Sequence, residues 1–187
     1  MIYVLWFKRI NDYGRKAGFL VEHYIISSGM REIIKSTSIA DEFKRIYACR
    51  YYYDETHTAT WPAQVVNYTA KTQYIFRINK QVLDVNDDAD LNKYVPQTER
   101  PIPFERMIYI ADGLTDVPCM RLVKEYGGKS IAVYSSNNAV AKSLKDVGRV
   151  NYIAKADYSS GSEMEQIVQS ILDHMKADEV LKKYEEK

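Results

Sequence analysis

Apolar and polar positions follow two rhythms along this 187-residue chain, one helical and one of short buried strands. Residues 3–16 set Val4, Leu5, Ile10 and Tyr13 among Lys8, Arg9, Asp12, Arg15 and Lys16, which predicts an amphipathic helix stopping near Ala17-Gly18. Phe19 to Ile26 predicts a strand that runs into Ser27-Ser28-Gly29, after which Met30–Ile34 opens a helix. A short helical turn is expected over 40–44. Strands over 45–53 and 58–67 flank the polar turn Asp54-Glu55-Thr56-His57 as a β-hairpin. Residues 69–78 predict a helix with Thr69 as its cap, and the acidic stretch 84–97 predicts a solvated loop or short helical excursion.

From residue 107 the pattern becomes regular. Apolar strands at 107–111, 130–134 and 152–154 alternate with helices at 117–126 and 138–147, which stop at Gly127-Gly128 and Gly148. Ser162-x-x-Glu165 predicts a capping box, followed by an apolar stripe of Met164, Ile167, Val168, Ile171, Leu172 and Met175 on a long last helix. That order predicts right-handed βαβ units in a parallel sheet, an α/β fold. No internal repeat or low-complexity tract interrupts it, and one domain over 1–187 is expected, with 45–67 as a hairpin insertion.

Composition narrows the function classes. A net charge of +1 leaves no basic excess to neutralise phosphate backbones, which argues against nucleic acid and against a membrane surface. No apolar run is long enough to span a bilayer. The apolar start, MIYVLWF, lacks a signal peptide's leading charge and small-residue cleavage site. Cys49 and Cys119 show no metal spacing and read as reduced thiols of a cytoplasmic protein, and scattered His23, His57 and His174 argue against zinc. The tyrosines clustered between Tyr47 and Tyr74, with Trp61, lie in mixed charge. They suit a packed hairpin better than a base-stacking platform.

Candidate chemistry concentrates at MIYIADGLTDVPCM, residues 107–120. A buried strand ends in the turn pair Asp112-Gly113, and Asp116 stands where a helix cap belongs, with Pro118 in the first turn. Ligands bind at the carboxyl edge of open α/β sheets, and a close pair of hard oxygen donors there suits Mg²⁺ held with a phosphate. The alternative is that Asp112 makes the turn and Asp116 only caps; on these residues alone the two readings are even. A second corner is Ser27-Ser28-Gly29, where hydroxyls and helix N–H groups converge as an anion site, against the plainer reading that Ser28 caps the next helix. Lys71 falls in the first turn of a helix, where a cation opposes the macrodipole; such a local conflict is expected at a working site.

ADGLTDVPCM resembles the fourth motif of the haloacid dehalogenase-like (HAD) phosphohydrolases, GDGxxDxxM, with Ala111 in place of the first glycine. ISSGM resembles the second motif of the phosphoserine-phosphatase-like branch, ISGGF, and that branch carries a similar hairpin between its second and third motifs. The resemblance runs over about residues 19–134. It implies a three-layer Rossmann-like HAD core with a largely parallel sheet and a small β-hairpin. By the same resemblance Asp112 ligates Mg²⁺, Asp116 supports the metal and its water, and Ser27 and Ser28 bind phosphate. Lys71, with Lys80 as runner-up, offsets charge on the phosphoryl group. Catalytic roles would fall to Lys71 and Ser27.

The family's first motif, a buried strand ending in DxDx[TV] that supplies nucleophile and general acid, has no counterpart. Asp88-Ala89-Asp90 is the DxD here, and it follows no apolar strand. In the family that strand is central, between those carrying the second and fourth motifs. Its loss implies a fold with the central first strand missing, and the chain is expected to be the C-terminal part of a longer protein. Three functional expectations follow. The first is a Mg²⁺-dependent phosphatase fragment acting on small phosphorylated substrates and inactive as it stands. The second, from another class, is a non-catalytic HAD-like module that binds phosphate or a partner, with self-association through its open sheet. A receiver-like or flavodoxin-like domain fits less well, because a receiver needs an acidic pair after its first strand.

Overall fold

The computed structural model describes residues 2–185; Met1 and the last two residues of the KKYEEK tail lie outside them. The fold is mixed α/β with two small, mostly parallel sheets. The chain divides into two compact units, one of residues up to Val21 together with those from Pro103 onward, the other Glu22–Ile102.

In the first unit, α1 (Ile2–Ala17) ends at Gly18, whose φ of 95° takes the left-handed conformation that lets a helix stop without a Cβ penalty. The sheet is β4 (Ile108–Ala111), β5 (Lys129–Tyr134) and β6 (Tyr152–Lys155), in that order and all parallel. Helices α5 (Val117–Glu125) and α6 (Ala139–Asp146) connect the strands, and α7 (Glu163–Glu185) follows. Expectation and structure agree here to within a residue or two. One core joins Val117, Met120, Ala132, Ala141, Leu144 and Val150, with Tyr109 and Ala111 packed against it. Ser130, fully buried in β5, donates to the Met120 carbonyl at 2.6 Å, so its hydroxyl is satisfied inside that core.

The capping box is half formed. Ser162 Oγ accepts the Glu165 N–H at 3.3 Å, but the Glu165 carboxylate does not return to the cap; it lies buried against Arg9 of α1. The apolar stripe of α7 is buried from Met164 to Met175, with Ile167 half-buried, and farther on Val180, Leu181 and Tyr184 are exposed.

The second unit holds β1 (Tyr24–Met30), α2 (Arg31–Lys35), β2 (Arg45–Tyr53), β3 (Ala59–Gln64), α3 (Lys71–Lys80) and α4 (Asp88–Asn92). β1 runs parallel to β2, and β2 antiparallel to β3. β1 begins later than expected, at Tyr24 instead of Phe19. Val21 packs against the bare Cα of Gly14, where a Cβ would collide with it, so the leading part of that apolar run serves α1. The strand also continues past Ser27: Ser27 pairs with Ala48 and Met30 with Cys49, so Ser28 and Gly29 bulge out, exposed.

The hairpin forms as expected, with Pro62 on edge strand β3, where a missing N–H costs least. It is packed at one end only. Tyr47 is buried and stacked on Tyr74 at 4.5 Å, whereas the cross-strand pair Tyr52 and Trp61 is 64% and 72% exposed. The acidic stretch is also more ordered than a solvated loop. Arg77, 1% exposed, donates to the carbonyls of Asp84, Val85 and Asp87 and to Asp88 Oδ1.

Candidate functional site

β4 delivers Asp112 to the surface at its carboxyl end, and the chain then turns through Gly113 and a tight turn, Leu114–Asp116, into α5. Pro118 falls in the first turn of α5, as expected. Asp112 is exposed and Asp116 is buried, at 7%. The plain capping reading of Asp116 does not hold, because its carboxylate makes no capping bond to α5. Instead Oδ1 accepts the Tyr109 hydroxyl at 2.6 Å, and Thr115 Oγ1 lies 3.4 Å from Oδ2. A Cβ placed on Gly113 would sit 3.6 Å from Asp116 Oδ2. The two oxygens are therefore distinguished: one faces Tyr109, the other the turn beside Asp112.

Burial foremost, then the neighbouring Cys119 and Asp116, push the Tyr109 hydroxyl far above its ordinary pKa. It stays protonated and donates. Tyr158, raised by burial, Tyr3 and Asp112 in that order, lies close enough to Asp112 to feel its charge, and its ring meets Tyr3 and Trp6 of α1 at 5.4 Å each. Sequence reasoning passed over Tyr109 and Tyr158. Tyr3 and Trp6 one helical turn apart were the available signal that α1 presents an aromatic face.

The phosphate-site candidates Ser27, Ser28 and Lys71 belong to the second unit, whereas Asp112 and Asp116 belong to the first. Ser27 Oγ accepts the Gly29 N–H at 3.0 Å, which braces the bulge. Ser28 caps nothing: the residue ahead of α2 is Met30, with no side-chain capping bond. Lys71 is the first residue of α3 and is 5% exposed. Thr69 is not the cap expected there. Asn67 Oδ1 accepts both the Ala70 N–H at 2.9 Å and the Thr69 hydroxyl at 2.7 Å, because an amide oxygen two residues earlier reaches the turn that precedes the helix. Lys80 holds other groups, donating to the carbonyls of Leu91 at 2.6 Å and Lys93 at 2.7 Å. It pins the chain after α4.

Asp88-Ala89-Asp90 lies in α4, with Asp88 paired to Arg77 at 2.8 Å, so no buried strand leads into this DxD. Among the described residues no cluster of three or more His, Cys, Asp or Glu side chains could hold a metal ion. A pair of carboxylates still suits Mg²⁺, which takes one or two carboxylates and fills its octahedron with waters and substrate phosphate. Asp112 is exposed at the turn and Asp116 is buried beside Gly113 and Thr115, four residues on. Among the described residues no helix is long and apolar enough to cross a membrane.

No family model matches this chain. A protein of Borreliella burgdorferi described as uncharacterized is 30% identical to it over 161 residues, covering 77% of this chain and 55% of the relative. The chain thus spans little more than half the length of that relative.

Proposed function

We propose that this chain is a HAD-like phosphohydrolase part, of the phosphoserine-phosphatase-like branch, that supplies the metal and phosphate groups but not the nucleophile. Asp112 would ligate Mg²⁺, with Asp116 completing its support. Ser27, Ser28 and the Ser28-Gly29 bulge would receive phosphate oxygens, and Lys71 would offset charge on the transferring group. When bound, Mg²⁺ neutralises phosphoryl oxygens and orients them for in-line attack. In a complete member the phosphoryl group passes from the substrate's ester oxygen to an aspartate, and water then cleaves the aspartyl phosphate.

The observation that carries this reading concerns sheet edges. Among the described residues both strands with HAD-like motifs, β1 with Ser27 and β4 with Asp112, are sheet edges, each paired in parallel with one neighbour. An edge strand presents a row of unpaired backbone groups that another strand can meet, and β4 is only half-buried along its length. A strand bearing DxDx[TV], from outside these residues, would pair with the β4 edge and bring the missing carboxylates. The same open edges favour the second reading, a non-catalytic module that binds phosphate or a partner strand, including a second copy of the chain.

The experiment is turnover of an aryl phosphate with Mg²⁺. The chain alone should give none, and a synthetic peptide of an apolar strand ending in DxDx[TV] should confer Mg²⁺-dependent hydrolysis that Asp112→Asn removes. Hydrolysis by the chain alone that disappears in Asp112→Asn would mean a substitute nucleophile and overturn the reading of an incomplete site.

A further inference from the structure

We propose that the second unit binds a phosphate monoester carrying a flat aromatic ring, such as a nucleoside monophosphate, with Arg31 and Arg50 holding the phosphate and Tyr52 and Trp61 stacking on the ring. The inference goes beyond the phosphate reading above, which rests on Ser27, Ser28 and Lys71 and gives neither arginine a part. Met30 pairs with Cys49 at the end of the parallel β1–β2 ladder, so Arg31 and Arg50 are the next residues on either side of it. Arg31 opens α2, and α2 packs against β2. Both arginines are half-buried, and the Nε of each is buried without a hydrogen-bond partner. Among the described residues no carboxylate pairs with either guanidinium. Two neighbouring guanidiniums, each with a donor withdrawn from water, are more stable with an anion between them. A phosphate monoester, with a charge of about −1.5 to −2 at neutral pH, matches the pair, whereas a carboxylate offsets one of them.

Arg50 and Tyr52 stand two residues apart on β2 and so share a face, and Trp61 is the cross-strand partner of Tyr52. The residues skipped at the register shifts lie on β3, so the alternation along β2 is unbroken. Tyr52 and Trp61 are both exposed, and exposed aromatic faces stack on bases. Arg50 and Tyr52 are roughly 7 Å apart along the strand, short enough for one mononucleotide to bridge. The mixed charge around the tyrosines argues against a nucleic-acid strand and is no obstacle here, because a single phosphate needs two cations and not a basic track.

The test titrates the full chain, in EDTA, with adenosine monophosphate, with ribose phosphate and with adenosine, by calorimetry and by tryptophan fluorescence. Trp61 is exposed and Trp6 is buried, so stacking on the hairpin shows as quenching. Adenosine monophosphate should bind at least about tenfold more tightly than either fragment. Arg31→Gln and Arg50→Gln should each weaken it about tenfold and leave adenosine unchanged. Trp61→Ala should weaken adenosine monophosphate and adenosine and leave ribose phosphate unchanged. Arginines with a purely structural role would alter stability without separating the fragments in this way. Trp61→Ala changes an exposed side chain, so it keeps the test open where an arginine variant fails to fold. The proposal is overturned if wild type does not bind adenosine monophosphate or binds ribose phosphate equally well. It is also overturned if the affinity is unchanged in Trp61→Ala or in either folded arginine variant. No step uses Mg²⁺, so each of these failures leaves the metal reading of Asp112 and Asp116 standing.

Discussion

Arg9 and Glu165, 156 positions apart, meet as a fork between α1 and α7: Arg9 Nε lies 2.9 and 3.0 Å from the two Glu165 oxygens. The guanidinium also donates to the Tyr158 carbonyl at 2.9 Å, so one side chain ties the first helix to the loop ahead of the last. The Glu165 side chain is 5% exposed and that of Arg9 26%, so the acid is the group that suffers if the pair breaks. Arg9→Leu should destabilise the protein by about 3 kcal/mol, since a lone buried carboxylate keeps its desolvation cost. The double variant Arg9→Leu/Glu165→Leu should recover most of that loss. Urea unfolding of the two variants measures both, and equal stabilities would show the pair to be inert.

Arg77 organises residues 84–88 through carbonyls, so its removal should act on that segment first. Arg77→Met, which leaves several half-buried acceptors without their donor, should cost about 2 kcal/mol and expose the 84–92 stretch to protease. Asp88→Ala should cost no more than about 0.5 kcal/mol, because the Asp88 side chain is 76% exposed and its ion pair is solvent-screened. Limited proteolysis with mapped cleavage sites distinguishes these outcomes from a uniform loss of stability.

Burial pushes His23 down to about 4. The unfolded chain therefore binds a proton at pH values where the folded one does not, and stability rises with pH across that window. The contribution is complete above about pH 6.5 and is lost as pH falls toward 4, amounting to at most about 3 kcal/mol. His23→Asn should flatten the stability profile between those limits. Urea midpoints at several pH values test it, and parallel profiles for wild type and variant would contradict it.

Gly128, just ahead of β5, sits where no side chain fits. A Cβ there would fall 2.5 Å from the Phe104 carbonyl oxygen and from Val123 Cγ1. Gly128→Ala should cost about 2 kcal/mol or more through displaced backbone. Gly161, with φ at 74° and nothing near its Cβ position, should lose about 1 kcal/mol on the same change, from conformation alone. Thermal melting of the two variants compares crowding with backbone strain directly.

The α/β class and the strand–helix alternation from residue 107 are legible in the sequence because each strand is a short apolar run and the connecting helices α5 and α6 stop at glycine. β1 is less legible. Phe19–Val21 is as apolar as a strand but forms none: Val21 packs at the bare Cα of Gly14 in α1, and Leu20 is left exposed. Glu165 reads as half of a capping box because nothing local shows that Arg9, far away in sequence, will claim its carboxylate. Asp112, Asp116, Ser27 and Lys71 are visible as a motif pattern, but the burial of Asp116 and Lys71 beside an exposed Asp112 is not. Tyr109 is invisible for the opposite reason. A tyrosine in a strand needs no explanation until its hydroxyl is seen at Asp116.

The account turns on whether Asp112 and Asp116 hold a divalent cation, and Mn²⁺ binding followed by electron paramagnetic resonance tests that most directly. Wild type should take up Mn²⁺ that Mg²⁺ displaces, and Asp112→Asn should weaken uptake by at least about tenfold while the fold, read by circular dichroism, stays intact. No uptake by wild type, or uptake unchanged in Asp112→Asn, would contradict the account.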